Sequence, residues 1–339
     1  MTRAAFGALP DGRRVDRLAI AAGDLAVDVL TYGAILASVR VPDAAGEVTD
    51  VALGFDTLEG WLHDPQYFGA VVGRFANRIR GARFPLDGRS VEVTPNRGEH
   101  HLHGGARGFD TVVWEVEAAE ADRVVLRHES PAGDEGYPGN LTAHVEYRAV
   151  PPAALEIRYR ATTDAPTVVN PTNHVYLDLT GGDGVLDHEV ALASSAFLEV
   201  DEATIPTGRI LDVSGTPLDF RTPRRLGDRI DEPHPQLRLA GGYDHCFVVD
   251  GAPGVLRPCA TVAAGGRTLA VETTQPGVQL YSGHAIRRRV GRGGAVYGPH
   301  SGLCLETEGF PDAPNHPHFP STRLDPGSVL EETTVYRFS

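Results

Sequence analysis

Residues 141–148 alternate strictly. Leu141, Ala143, Val145 and Tyr147 are apolar, while Thr142, His144, Glu146 and Arg148 are polar or charged. A period of two puts the first set on one face of a strand and the second on the other. The segment 155–160 repeats the pattern, with Leu155, Ile157 and Tyr159 against Glu156, Arg158 and Arg160. Arg123 to His128 and Leu269 to Thr274 also read as strands. Phe84-Pro85-Leu86 and Val91-Glu92-Val93 flank Asp87-Gly88, a strong hairpin signal. Such segments recur between turn residues, with 39 glycines and 25 prolines spread evenly. Long stretches of helical periodicity are missing. The pattern predicts an all-β sandwich or barrel with few helices, one of them a short turn over Thr57 to His63. No composition shift marks a linker, and Pro151-Pro152 and Asp164-Ala165-Pro166 read as loops. One domain over residues 1–339 is expected.

The charge narrows the partners. The chain has 31 Lys+Arg against 45 Asp+Glu, a formal net charge of −14 in 339 residues. This balance argues against nucleic acid and against anionic membrane surfaces. No stretch approaches a transmembrane span, and the N-terminal MTRAAFGALPDGRRVDR lacks a signal-like apolar run. Cys246, Cys259 and Cys304 form no CxxC pair and no even framework. A cytoplasmic protein is expected.

The stretch 303–315 reads LCLETEGFPDAPN. Leu303, Cys304 and Leu305 open it like a buried strand, and Glu306 and Glu308 follow one residue apart. In a strand these carboxylates point to one face, where like charges repel unless a ligand or a cation lies between them. Pro311 and Pro314 stiffen the turn that follows. A carboxylate leaving an apolar strand just before a stiff turn is well placed as a held general base. The ordinary alternative is an edge strand with solvated acids.

Other segments carry candidate chemistry. Asn77 and Arg78, in GRFANRIRG, offer an amide and a fork of donors that suit hydroxyls or carboxylates, or that tie down a loop. In EHHLHGGARGFD, His101 and His103 share a face if the chain is extended, and Gly104-Gly105 lets the backbone approach something closely. His103 suits a sugar, a metal or a plain polar turn. No HExxH or Cys/His spacing completes a metal site, so neither metal nor cofactor is expected. His174 lies in the strand-like run VVNPTNHVYLDL with Tyr176 on the same face. Its imidazole is suited to proton transfer near neutral pH, or is a core histidine bonded to Asn173 or a backbone group. Asp244 enters a strand at 246–249 or forms a turn. Gln279 is a sugar-hydroxyl partner or an exposed strand residue. The basic run 287–294 lacks the Walker pattern and reads as a solvated loop. With no GxSxG, P-loop or dinucleotide fingerprint, acid/base and hydrogen-bonding side chains on a β scaffold remain. That set suits a carbohydrate.

The residues resemble the aldose 1-epimerase, or galactose mutarotase, family. Five motifs match in order: YGAILASVRVPD at 32–43, GRFANRIRGARFPLDG at 73–88, LHGGARGFD at 102–110, NPTNHVYLDLTG at 170–181, and LETEGFPDAPN from 305, with a closing FP–L–PG–Y–F pattern to 338. GGYDHCF and QPGVQLYSG fall between them. The resemblance implies a single large β-sandwich, the galactose mutarotase-like supersandwich, with a small-molecule aldose in an open cleft and a monomer or weak homodimer. It implies Glu306 as general base, His174 as general acid and His103 as the group polarising the ring end. Asn77, Arg78, Tyr176, Asp244 and Gln279 would bind hydroxyls. The implied reaction interconverts α and β anomers of hexoses such as glucose and galactose, with Glu306 ionised and His174 protonated. Glu308 stands where the family usually has Gln, Asp178 and His284 where it has Asn, and His100-His101 where it has Asn-Ser or similar. Rival readings are a hexose-6-phosphate epimerase using the 287–292 arginines, a non-catalytic sugar-binding domain, and a His-cluster metal hydrolase.

Overall fold

The computed structural model describes residues 1–62 and 66–339. Its regular structure is mostly antiparallel strand. The largest sheet has nine strands, in the spatial order 115–119, 123–130, 141–150, 154–163, 330–338, 267–273, 257–264, 189–192 and 224–225. The alternating segments form its centre. Leu141, Ala143, Val145 and Tyr147 are buried, and the register partners of the last three, Ala161, Tyr159 and Ile157, are buried beside them. Arg148, Arg158 and Arg160 stand exposed on the other face.

Two five-stranded sheets cover that apolar face. One is the N-terminal meander over Thr2–Ala8, Arg14–Ala22, Leu25–Leu30, Leu36–Pro42 and Val48–Asp50. The other runs in the order Pro206–Asp212, Ala196–Val200, Asp244–Val248, Gly277–Tyr281 and Cys304–Glu308. Leu18 and Val27 from the first, Val145 and Leu155 from the large sheet, and Phe247, Leu280 and Leu305 from the second share one continuous core. Each such buried side chain contributes about 1.5–3 kcal/mol. Polar ties join the layers: the Tyr147 hydroxyl donates to Ala34 O at 2.7 Å and the Tyr336 hydroxyl to Leu305 O at 3.2 Å. The hydroxyls of Thr307 and Thr334 meet at 2.5 Å. The Thr307 side chain thus meets the large sheet, and Leu305 packs in the shared core. Alternation turns Cys304, Glu306 and Glu308 to the opposite side.

Local sequence explains the turns. Asp87 and Gly88 have φ of 50° and 74° and join Leu86 to Arg89, the paired left-handed residues a two-residue hairpin needs. A helix covers Leu58–Leu62, while His63 lies outside the described residues. The only other α-helix among those residues is Pro235–Ala240, and none is long and apolar enough to cross a membrane.

Two strand expectations are corrected. The run 168–179 is not one strand. Only Thr167–Val168 and Thr172–Asn173 pair regularly, with Leu177 bridging both Ala52 and Leu303. Pro171 lacks an N–H, and the backbone groups after it go to different neighbours, His174 N to Ala70 O and Leu177 N to Leu303 O. Nor is 101–103 extended throughout. His101 and Leu102 pair with Ile79 and Arg78, but His103 turns to a φ of 50°. The close approach at Gly104 is to the chain itself: a Cβ there would lie 1.7 Å from Gly73 O, at a φ of +92°. Gly104→Ala should therefore lower the free energy of unfolding by more than about 2 kcal/mol, read as a fall in the urea midpoint.

Candidate active site

The strand Cys304–Glu308 is at the edge of its sheet, yet its acids are not solvated. Glu306 is 3% exposed and Glu308 not at all. Glu306 lines a cleft of about 420 Å³, shared among others with Asn77, Arg78, His103, His174, Tyr176 and Asp244, whereas Glu308 is not among its lining residues. Of the residues that the resemblance assigns to the reaction or to hydroxyl binding, all reach it except Gln279. That side chain lies beneath, its amide donating to Asp244 Oδ1 at 2.6 Å. Gln279 supports Asp244 because the two residues sit on paired strands, Asp244 opposite Tyr281 and Gln279 opposite Cys246.

The centre of the cleft is an imidazole against a carboxyl. His174 Nε2 lies 3.7 Å from Glu306 Oε2, and that oxygen has no hydrogen-bond partner. On the ring's other side Nδ1 lies 3.5 Å from Cys304 Sγ. His174 is thus not bonded to Asn173, whose amide goes to Gly69 O and the Tyr147 hydroxyl. Burial pulls the His174 imidazole down to about 4. It pushes the Glu306 carboxyl well above the carboxylate range, and Glu308 and Asp244 push the same way. Burial thus favours the neutral form of each group, the reverse of the charges the resemblance implies for the reacting pair. Desolvation disfavours each charged form.

His103 is held by a reciprocal clip. Asn77 N donates to His103 Nδ1 at 3.0 Å, and His103 N donates to Asn77 O at 2.9 Å. Both residues are left-handed, with φ of 60° and 50°, a strain worth about 1–3 kcal/mol each. An Nδ1 that accepts leaves the ring hydrogen on Nε2. Burial, with His174 and Arg78 beside it, keeps this ring neutral. His103 is therefore a donor. The Asn77 amide donates to Glu308 Oε1 at 3.0 Å, and Arg78 lies 3.9 Å from Asp244. Ligand atoms of His103, His174 and Glu306 lie within 4.8 Å of one another, the spread of a loose cation cage. His103 fits such a cage poorly: Nδ1 is taken by Asn77 and Nε2 by its hydrogen, so no lone pair is left for a metal.

The family model for aldose 1-epimerases matches residues 16–337. The chain is 44% identical to galactose mutarotase of Bos taurus over 345 residues, covering 100% of this chain and 98% of the relative. It is 36% identical to aldose 1-epimerase of Escherichia coli K12, covering 97% and 96%. A solved aldose epimerase homologue from C. elegans superposes with a TM-score of 0.86 at 31% identity, covering 95% and 98%.

The chain belongs to the aldose 1-epimerase family.

Set against the family pattern, the departures fall in different places. His101 bonds the Tyr137 hydroxyl and Thr94 O, and His100 Nδ1 accepts from Gly81 N, so both hold loops. Asp178 caps its own turn through Thr180 and meets His188 at 3.3 Å. His284 lines the cleft with Nδ1 on the Ser282 hydroxyl. Of the basic run only Arg287 lines the cleft. Arg289 lies over Phe55 and Phe68, and Arg292 binds Asp50 and backbone carbonyls. Tyr67 carries no signal in the sequence. It lines the cleft at a φ of 61°, its ring 4.7 Å from His103 and stacked 5.8 Å from His174.

Glu308 is the departure with an energetic consequence. Burial pushes its carboxyl from the ordinary 4.5 up to about 8, against the pull of the Asn77 bond. The fold then binds a proton that the unfolded chain has already lost, so stability falls as pH rises through that window. Glu308→Gln keeps an oxygen for Asn77 and removes the titration. Its Tm should exceed that of the unsubstituted protein at pH 8, with the gap closing toward pH 5, as measured by calorimetry at both values.

Proposed function

We propose that this isomerase interconverts the α and β anomers of free hexoses such as glucose and galactose, with Glu306 and His174 moving the protons. The observation that carries the reading is the buried, unpartnered Glu306 Oε2 facing His174 Nε2 at 3.7 Å, with the His103 donor beside them. Glu306 takes the proton of the C1 hydroxyl as His174 gives one from Nε2 to the ring oxygen O5. The C1–O5 bond breaks and the carbonyl forms at C1. Rotation about C1–C2 presents the other carbonyl face, and both transfers reverse on closure. Atoms and charge balance without redox chemistry. His103 Nε2–H donates to the ring end, while Asn77, Arg78, Tyr176 and Asp244 face the hydroxyls and Gln279 steadies Asp244.

The site's own electrostatics favour opening. Once the ring has opened, Glu306 carries a proton and His174 is neutral. Burial already prefers that state. The ion pair exists only with the closed sugar, so the environment lowers the open-chain state relative to it. A phosphate-binding variant of the reaction draws little support, because Arg287 alone of the basic run reaches the cleft. A purely binding role gives no reason to bury an unpartnered carboxyl against an imidazole.

The competent form carries one proton on the pair. Acid adds a second to His174, and alkali removes the last from Glu306. The kcat/KM profile should be a bell with its acid limb near 4 and its alkaline limb above the ordinary carboxylate range; a profile that lacks either limb would sink the pair. In polarimetry on fresh α-D-glucose and α-D-galactose, Glu306→Gln and His174→Asn should each lose on the order of 10²–10⁴ in kcat. Unsubstituted protein no faster than buffer on either sugar would overturn the substrate assignment.

A further inference from the structure

Cys304 and Glu306 stand two residues apart on one face of the strand Cys304–Glu308. The His174 ring lies between them, with Nδ1 toward the sulfur at 3.5 Å and Nε2 toward the carboxyl at 3.7 Å. A single strand therefore addresses both nitrogens of one imidazole. The ring's other neighbours are aromatic: Tyr67, His103, Tyr176 and Tyr281, with centroids at 5.8, 5.3, 5.0 and 6.4 Å. Cys304 has no exposed surface and closes the inner side of this cluster.

We propose that Cys304 is a positioning residue for the proton transfer: its sulfur accepts the Nδ1–H of His174, so that Nε2 alone exchanges protons with the sugar. This rests on the reading of His174 as proton carrier. A neutral imidazole has one N–H. With that hydrogen on Nδ1, the Nε2 lone pair faces Glu306, the group burial keeps protonated. When His174 takes up a second proton it sits on Nε2, and when it gives that proton to O5 the Nδ1–H···S contact is undisturbed. The arrangement has the form of a base, its proton partner and a third group that orients the ring. Here the third group is uncharged, since burial holds the Cys304 thiol far above its ordinary range. A carboxylate in its place would stabilise the imidazolium and make His174 a weaker acid. A thiol orients the ring without that effect.

The test uses the full chain with ¹⁵N-labelled histidine, the His174 resonances being assigned by their loss in His174→Asn, together with polarimetry. Unsubstituted protein should show the Nδ1–H tautomer of His174. Cys304→Ala should mix the tautomers and lower kcat on the order of tenfold with KM within about twofold, the mark of an interaction used in the chemical step and not in sugar binding. Cys304→Ser keeps an acceptor and should restore the Nδ1–H tautomer and most of kcat. An Nε2–H tautomer in the unsubstituted protein overturns the inference. So does Cys304→Ala with unchanged tautomer and kcat, or a folded Cys304→Ser no better than Cys304→Ala. If Cys304→Ala does not fold, the tautomer of the unsubstituted protein decides. Inactive protein with an Nδ1–H His174 would remove the proton-carrier reading and leave the sulfur contact standing.

Discussion

Two carboxyls on one strand face, both shut away from water, set the terms for everything around the cleft. Leaving either one ionised and unpaired in an apolar surround would cost more than a fold of this size has to spare. Burial instead favours their neutral forms, and the fold supports them. Leu305 anchors the strand in the shared core and Thr307 ties it to the large sheet, and Asn77 steadies Glu308. The turn beyond is pinned as well: Asp312 N donates to Arg78 O, and Arg80 N donates to Asp312 Oδ1. The strand that bears the acids and the loop that bears Asn77 and Arg78 are thus one mechanical unit.

The same desolvation that threatens the fold prepares the chemistry. Glu306 and His174 are each pushed toward neutrality, the state in which the proposed ring opening would leave them. His103 belongs to the site on different terms. Its tautomer is decided by a backbone N–H, and it contributes a hydrogen rather than a charge. The left-handed turns at Asn77, His103 and Tyr67 place these side chains where extended backbone would not, and the strain is held by the paired hydrogen bonds of the Asn77–His103 clip.

Much of this was legible beforehand, and for identifiable reasons. The period-two segments at 141–148 and 155–160 specify which side chains are buried, because a strand has only two faces. Asp87-Gly88 specifies its turn because few residues accept two positive φ angles in a row. Glu306 and His174 were legible through ordered motifs across the whole chain, and each alone resembled an ordinary acid or a core histidine. Gln279 could not be sorted from the cleft side chains, since strand alternation gives a face and not what covers it. Tyr67 was invisible, because its place depends on a left-handed turn in an unpatterned loop. The break-up of 168–179 was hidden for a similar reason: its backbone hydrogen bonds go to four distant segments, around residues 51–53, 70–76, 303 and 322–323.

The sequence by itself determined the strand faces, the principal turn and the residue types able to move a proton on and off a sugar, because these follow from local stereochemistry and side-chain chemistry. Tertiary structure alone decided which of those groups meet, and in what protonation state. Protonation depends on how much water and which charges surround a group. That is settled when Cys304, Glu306 and Glu308 on one strand close against His174, Asn77 and His103 from segments far away in the chain.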